Sequence, residues 1–257
     1  PEVGRATAAP VGKGPRVLFI GNSYTHFNLL PVLVSRLAAA MPDPLRLRVR
    51  AVTRPGWRTC MHWKKPEMLL SQIRAGRYSH VVLQAHSLDP IERIDEFQEY
   101  ASRFDRAIDA TGAQTVLYQT WPRHPGDHLY RNHPLVGSAE EMFARVHDAY
   151  ARAADRLDAR LAPVGLAFRR AMLQHPRLRL YRPDGSHPSW SGTFLAACVI
   201  FGSLTDDDPV RSAYHPHEIT RAEARKLKQV AASVLARYKG AGLSIPPTRS
   251  PGPKPGS

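Results

Sequence analysis

Short apolar runs alternate along the chain with longer stretches in which apolar residues recur at helical spacing. The short runs contain β-branched residues in several cases, which is typical of strands covered on both faces of a sheet. Strands are predicted at 16–21, 45–52, 79–84, 114–119 and 163–167. Helices are predicted at 28–40, 66–75, 95–111, 138–161, 191–203 and 218–238.

This alternation predicts an α/β domain with a parallel sheet and helices on both faces. In such sheets the ligand site lies beyond the carboxyl ends of the strands. The first predicted strand ends at Asn22 and Ser23, immediately before an amphipathic stretch. A turn with a helix N-cap is one interpretation of this polar pair, and a functional site is the other.

The length of 257 residues suits one sizeable α/β domain, which we assign to residues 16–240. Residues 1–15 and 241–257 are rich in Pro and Gly and are predicted to be a flexible segment and a flexible tail. The sequence begins without Met, which is compatible with a removed signal peptide and a secreted or periplasmic bacterial location. The compartment and the oligomeric state are left open.

The chain is strongly basic, with a net charge of +14 and a pI near 10.3. Such a charge could attract nucleic acid, anionic lipid or an acidic polysaccharide. However, the arginines are scattered over many segments, as on a solvated surface, and this disfavours a dedicated nucleic-acid partner. No apolar run approaches the roughly 18 residues of a membrane span, so none is predicted.

Polar loops follow the predicted strands and should meet at one edge of the sheet. The second strand leads into "TRPGWRTCMHW", the third into "QAHSLDP" and the fourth into "TWPRHPGDH". A later loop, "YRPDGSHPSWSG", places Asp184 three residues before His187. A histidine that acts as a base needs such a partner at Nδ1, although the same residues also form ordinary surface turns.

In combination these blocks resemble the SGNH/GDSL hydrolases, and in particular the branch whose first block reads GNS. "FIGNSYT", an isolated glycine in "RPGW", a polar turn after the third strand and a late "DGSHPS" occur in the family's order. The resemblance covers roughly residues 16–204. It implies a three-layer α/β/α fold with a flavodoxin-like, five-stranded parallel sheet.

The resemblance also implies hydrolysis of acyl esters without a metal or an organic cofactor. Ser23 matches the nucleophile, His187 the general base, and Asp184 the carboxylate that orients it. Gly56 matches the glycine whose backbone N–H helps to hold the oxyanion. Serine attack needs a neighbouring base, and the tetrahedral oxyanion needs fixed donors, so the expected roles agree with the chemistry.

The third block departs from the family pattern, whose GxND asparagine donates a side-chain N–H to the oxyanion. Here the segment reads "VVLQAHSLDP" and has no asparagine. Gln84 and His86 would point to the same side of an extended chain. Gln84 is the preferred substitute donor, and His86 could serve if its ring nitrogen carries hydrogen. Asn22 also replaces the more usual aspartate.

Other residues suggest further roles, which the sequence favours less than the roles given above. His124, His128 and His133 fit no standard zinc spacing, and no metal site is predicted. Trp57, Trp63 and Trp121 could be core residues or a platform for a sugar. The presence of two cysteines, Cys60 and Cys198, indicates neither a metal cluster nor a disulfide by itself.

The expected function is hydrolysis of small-acyl esters, acetyl esters above all, on a small molecule or a carbohydrate. The alternative is a catalytically weak SGNH scaffold that binds an anionic glycan or nucleic acid. A complete set of Ser23, Asp184 and His187 favours the enzyme. The natural acyl donor, the alcohol, and the choice between hydrolysis and acyl transfer are left open.

Overall fold

The computed structural model describes residues 14–240, and of residues 66–68, 239 and 240 it describes only the backbone. Its centre is a five-stranded parallel sheet in the order β2-β1-β3-β4-β5. The strands are β1 Arg16–Gly21, β2 Arg48–Thr53, β3 His80–Leu83, β4 Gln114–Tyr118 and β5 Arg160–Ala162. The predicted flavodoxin-like order is confirmed.

Helices connect and follow the strands. The longer helices are α2 Leu30–Ala39, α4 Pro66–Ala75, α6 Ile94–Asp109, α8 Ala139–Leu157, α9 Val164–Gln174, α10 Trp190–Thr205 and α11 Arg221–Gly240. The short ones are α1 Ser23–His26, α3 Thr59–Trp63, α5 Asp89–Glu92 and α7 Leu129–Asn132, with 3-10 turns at Phe27–Leu29 and Pro209–Arg211. The predicted helices at 28–40, 66–75, 95–111, 191–203 and 218–238 therefore shift by only a few residues.

Side chains of the central strands alternate between two cores, which defines the three layers. In β1, Val17 and Phe19 pack on one face, whereas Leu18 and Ile20 pack on the other. The first core is completed by α2, α9, α10 and α11, and the second by α4, α6 and α8. Both faces of the sheet are thus covered, as the apolar character of the strands predicts.

Helix α10 is buried along residues 191–204 and anchors the loop that precedes it. Ser189 caps the helix by accepting the Gly192 N–H at its Oγ, and its own N–H donates to the Leu180 carbonyl at 2.9 Å. A Cβ at Gly192 would overlap the same carbonyl oxygen. Close backbone contact therefore fixes the segment that contains Asp184 and His187 against a rigid element.

One predicted strand is wrong. Residues 163–167 begin helix α9, and the fifth strand lies at Arg160–Ala162, where the pattern extended the preceding helix to residue 161. Helix α8 ends early because Asp158 adopts a left-handed conformation, with φ 48°. The apolar run that follows is too short for periodicity to distinguish strand from helix.

The predicted flexible segments 1–15 and 241–257 lie outside the described residues, apart from residues 14 and 15. Within the described part of the chain, no helix is long and apolar enough to cross a membrane. Cys60 and Cys198 are both buried free thiols.

Candidate active site

The turn after β1 presents Ser23 at the carboxyl edge of the sheet. Asn22 is the N-cap of α1, and its Oδ1 accepts the Tyr24 N–H at 3.1 Å. Its Nδ2 donates to the Trp57 carbonyl at 3.2 Å, which ties this turn to the loop after β2. An ionised aspartate has no donor for that carbonyl, so the asparagine of the GNS block satisfies a contact that aspartate would lose.

Ser23, His187 and Asp184 form a continuous chain of hydrogen bonds. His187 Nε2 lies 2.9 Å from Ser23 Oγ, and His187 Nδ1 lies 2.8 Å from Asp184 Oδ2. The other carboxylate oxygen, Oδ1, accepts the backbone N–H groups of Ser186 and His187, each at 2.9 Å. The acid is therefore folded back on the histidine by its own loop, which turns at Gly185 with φ 67°.

The same contacts keep Asp184 ionised. Burial alone would raise the pKa of its carboxyl group. The hydrogen bonds from the Ser186 and His187 N–H groups and from the His187 ring outweigh burial, and the pKa lies below its ordinary value. An ionised Asp184 selects the His187 tautomer with hydrogen on Nδ1, which leaves Nε2 free to accept a proton from Ser23.

A stack of three aromatic rings supports this loop from below. Trp121 lies between Tyr24 and Phe168, with ring centroids 4.5 and 4.1 Å away and planes 2° from parallel in both pairs. Trp121 Nε1 donates to the Ser186 carbonyl, and the Tyr24 hydroxyl lies 2.8 Å from Ser186 Oγ. The nucleophile turn and the histidine loop are thus held against one rigid stack.

Gly56 lines the same cleft as His187 and lies in the turn after β2. Its φ is 70°, a conformation that favours glycine, and the Trp57 N–H closes the turn on the Arg54 carbonyl at 3.1 Å. In the described chain, the backbone N–H groups of Ser23 and Gly56 have no hydrogen-bond acceptor. Both residues line the same cleft, so both donors are available to a ligand there.

Gln84, the preferred third donor of the sequence analysis, does not line the cleft. Its Oε1 accepts the Asn22 N–H at 2.9 Å and the Thr25 hydroxyl at 2.8 Å, and its Nε2 donates to the Ala85 carbonyl. The side chain is 2% exposed. Its amide is used within the protein, so Gln84 supports the nucleophile turn and has no N–H directed to an oxyanion.

His86 does line the cleft, together with Ser23, Gly56 and His187. Its Nδ1 accepts the Leu88 N–H at 3.3 Å, which places the ring hydrogen of the neutral form on Nε2. Burial, and then the charges of Arg58 and Arg123, lower the pKa of His86, so the ring stays neutral at physiological pH. This arrangement meets the condition that the sequence analysis set for His86.

The cleft has a volume of about 500 Å³. Its lining residues are Asn22, Ser23, Tyr24, His26, Phe27, Pro55, Gly56, His86, Ser87, Arg123, Ser186 and His187. A larger cavity of about 600 Å³ lies behind the loop, between His124 and Leu180, and includes none of the residues just described as reactive or as donors. The smaller cleft is therefore the candidate site.

Sequence reasoning missed Arg123 as a member of this cleft. It lies in "TWPRHPGDH", one of the loops that the sequence places at the carboxyl edge of the sheet, but the sequence contains no feature that distinguishes Arg123 from the other arginines. Those histidines make separate contacts. His133 Nε2 lies 3.1 Å from the Glu92 carboxylate, and His124 packs on Tyr181. Among residues 14–240, no three metal-ligating side chains are placed to hold an ion.

The tryptophans were expected to be either core residues or a platform for a sugar, and the structure places them differently. Trp121 is fully buried and is a core residue, whereas Trp63 is half-buried and packs edge-on against Phe104 at the border of the second core. Trp57 is half-buried, and its ring packs on His62 at 5.0 Å. Trp57 thus keeps part of its surface exposed next to Gly56, and the Lys65 ammonium lies 5.9 Å from the centre of its ring.

No family model and no curated protein matches the chain. Among solved structures, a protein from Slackia heliotrinireducens described as a candidate SGNH hydrolase is 30% identical, with a TM-score of 0.65. The match covers 74% of this chain and 99% of that one.

Two further structures show the fold alone. A DUF4886 family protein from Bacteroides uniformis has a TM-score of 0.71 at 17% identity, covering 86% of this chain and 95% of that one. Axe2, an acetylxylan esterase from Geobacillus stearothermophilus, has a TM-score of 0.58 at 15% identity, covering 76% of this chain and 96% of that one.

Proposed function

The chain belongs to the SGNH hydrolase family, and on that premise we propose that it is a serine esterase with Ser23, His187 and Asp184 as its catalytic triad. The observation that carries this proposal is the hydrogen-bond chain from Ser23 Oγ through both ring nitrogens of His187 to Asp184 Oδ2. These contacts lie in an open cleft that also contains the free N–H groups of Ser23 and Gly56.

In the first half-reaction Ser23 Oγ attacks the ester carbonyl carbon as His187 Nε2 takes its proton. The carbonyl π pair moves to oxygen and forms a tetrahedral oxyanion. When this intermediate collapses, the bond to the alcohol oxygen breaks, and His187 returns its proton to the leaving alcohol. Asp184 stabilises the positive imidazolium between these two transfers without accepting the proton.

In the second half-reaction water replaces the alcohol. His187 takes a proton from the water, whose oxygen attacks the acyl carbon, and the carboxylic acid leaves as Ser23 Oγ regains the proton. The net reaction consumes one ester and one water and yields one acid and one alcohol. It changes no oxidation state.

Three donors are proposed for the oxyanion: the N–H groups of Ser23 and Gly56, and Nε2–H of His86. Each residue lines the cleft, and none of these N–H groups donates to another group in the described chain. Fixed donors stabilise the developing charge without reorganising during the reaction. His86 thus takes the place that the family gives to the asparagine of its third block.

A small acyl group, acetyl above all, is proposed for the substrate, and a carbohydrate for its alcohol. The support is the modest cleft volume of about 500 Å³, the half-buried ring of Trp57 beside the Gly56 turn, and the similarity in fold to an acetylxylan esterase. A sugar could stack on an exposed indole face.

A serine-directed fluorophosphonate tests the proposed function directly. The protein is expected to hydrolyse p-nitrophenyl acetate, and the fluorophosphonate is expected to abolish this activity while adding one mass label. Peptide mass spectrometry should place the label on Ser23. Labelling of another serine, or no hydrolysis of any small ester, would favour the alternative of a non-catalytic binding scaffold.

Substitution of His86 separates the two candidates for the third oxyanion donor. His86→Ala is expected to lower kcat on p-nitrophenyl acetate by about 10²–10³ with little change in KM, because the lost bond forms mainly in the transition state. Steady-state kinetics measures both constants.

Gln84→Ala serves as the comparison. It is expected to lower the free energy of unfolding by about 1–3 kcal/mol, because the buried Asn22 N–H loses its acceptor. Denaturant unfolding measures this change. A Gln84→Ala protein of wild-type stability with a greater loss of kcat than His86→Ala would return the donor role to Gln84.

A further inference from the structure

Arg123 is a cation inside the proposed active-site cleft. It follows β4 and lines the cleft together with Ser23, His86 and His187. Its side chain is half-buried. No carboxylate is among the cleft-lining residues, so the guanidinium is not neutralised from within the cleft.

The guanidinium of Arg123 has no partner in the described chain. Nε is buried and has no hydrogen-bond acceptor, and no Asp or Glu whose side chain the structure describes forms an ion pair with Arg123. By contrast, Arg58, which also influences His86, has one guanidinium nitrogen 2.9 Å from the Asp89 carboxylate and another 3.6 Å from that of Glu92. Buried polar groups are normally satisfied, and an arginine left without a partner in a cleft is typical of a ligand contact.

The backbone that carries Arg123 is fixed on both sides. The Tyr130 hydroxyl donates to the Arg123 carbonyl at 2.7 Å, and the Arg123 N–H donates to the Met142 sulfur at 3.3 Å. The Tyr181 hydroxyl donates to the preceding carbonyl, that of Pro122, at 2.9 Å. The segment is thus held in place while its one cationic group stays unpaired, which lowers the ordering cost of binding an anion there.

We propose that Arg123 binds an anionic group of the substrate, a carboxylate above all, so that the ester cleaved at Ser23 belongs to an acidic molecule. The guanidinium presents planar, paired donors that match a carboxylate. The anion could lie on the acyl group or on the alcohol. This inference rests on the proposed esterase function and extends it to the charge of the substrate.

Two matched pairs of esters test the inference and distinguish the two positions of the anion. The first pair is p-nitrophenyl valerate and mono-p-nitrophenyl glutarate, which differ by a carboxylate on the acyl side. The second pair is acetylated methyl glucoside and acetylated methyl glucuronide, which differ by a carboxylate on the alcohol side. Release of nitrophenol or acetate, corrected for spontaneous hydrolysis, gives kcat/KM for each ester.

The readout is the ratio of kcat/KM for the anionic ester to that for its neutral partner. Wild-type protein is expected to prefer the anionic member of one pair, and Arg123→Gln should reduce that ratio by about 10- to 100-fold, as loss of a charged hydrogen bond does. Arg145→Gln, which removes an equal charge from the exposed face of α8, should leave the ratio unchanged.

Arg123→Lys covers the case in which Arg123→Gln does not fold, as judged by circular dichroism. Lysine keeps the charge and loses the planar fork, so the ratio should fall by less than in Arg123→Gln. The wild-type ratio should also decline as salt rises, because screening weakens the ion pair. A ratio that the Arg123 variants leave unchanged would overturn the inference, whatever the effect of salt.

The outcomes separate this inference from the proposed function. If the neutral esters are hydrolysed by a Ser23-dependent reaction and the Arg123 variants leave the ratios unchanged, only the anionic substrate class is wrong. If the wild-type protein hydrolyses none of the four esters or p-nitrophenyl acetate, both the esterase function and the role of Arg123 are wrong.

Discussion

Replacing Ser23 by alanine is expected to lower kcat for p-nitrophenyl acetate by about 10⁶, to the level that bound water and the oxyanion donors alone can support. The reason is covalent: the alanine side chain has no oxygen to form the acyl-enzyme, and His187 has no hydroxyl to deprotonate. The fold should persist, because the only hydrogen bond of Ser23 Oγ among the described residues is the one to His187. Steady-state kinetics and thermal unfolding measure the two effects.

Ser102→Ala is a matched control for this substitution. Ser102 lies on α6, where its Oγ accepts from Arg106, and it is not among the residues that line the cleft. It should retain wild-type rates and react with the fluorophosphonate as the wild type does. A Ser23→Ala protein that retained a tenth of the activity would show that Ser23 is not the nucleophile.

The layers could be predicted because the hydrophobic pattern for them is strong, whereas the flavodoxin-like sheet was implied by the resemblance to the SGNH/GDSL hydrolases. Strand β1 is apolar on both faces, and its residues do divide between two cores, with Phe19 on one side and Ile20 on the other. The boundary near residue 160 could not be predicted. It depends on the left-handed Asp158, and periodicity carries no signal for a single backbone torsion angle.

Ser23 and Gly56 could be expected at one edge because they follow β1 and β2, and the carboxyl ends of parallel strands meet there. The loop of Asp184 and His187 lies between α9 and α10, and its role came from the resemblance to the SGNH/GDSL hydrolases. The proposed third donor, His86, could not be predicted. An extended chain would place Gln84 and His86 on the same side, but the structure places only His86 in the cleft. Gln84 then turns back to the Asn22 N–H.

Arg123 shows a second limit of the sequence. The sequence places Arg123 in a loop at the edge of the sheet. Whether its guanidinium has a partner depends on the side chains that the fold brings close to it. The chain has 36 Lys and Arg residues against 22 Asp and Glu, so unpaired cations are common on its surface. Only the structure distinguishes the unpaired cation that lies beside the nucleophile from those that lie in solvent.

Replacing Asp184 by asparagine is expected to cost about 10⁴ in kcat while keeping the fold. The Oδ1 of the new asparagine can still accept the Ser186 and His187 N–H groups, so the loop should keep its shape. Its Nδ2 would then face His187 Nδ1 and donate to it, where Asp184 Oδ2 now accepts. The ring hydrogen would move to Nε2, and that nitrogen could no longer take the proton of Ser23.

Asp148→Asn is the matched control, since Asp148 lies exposed on α8 and pairs with Arg152. It should leave kcat unchanged, and circular dichroism with thermal unfolding should find both variants folded. Because the defect of Asp184→Asn lies in the tautomer of His187, the loss should appear in kcat far more than in KM. An Asp184→Asn protein no slower than Asp148→Asn would mean that the tautomer of His187 is set by something other than this carboxylate.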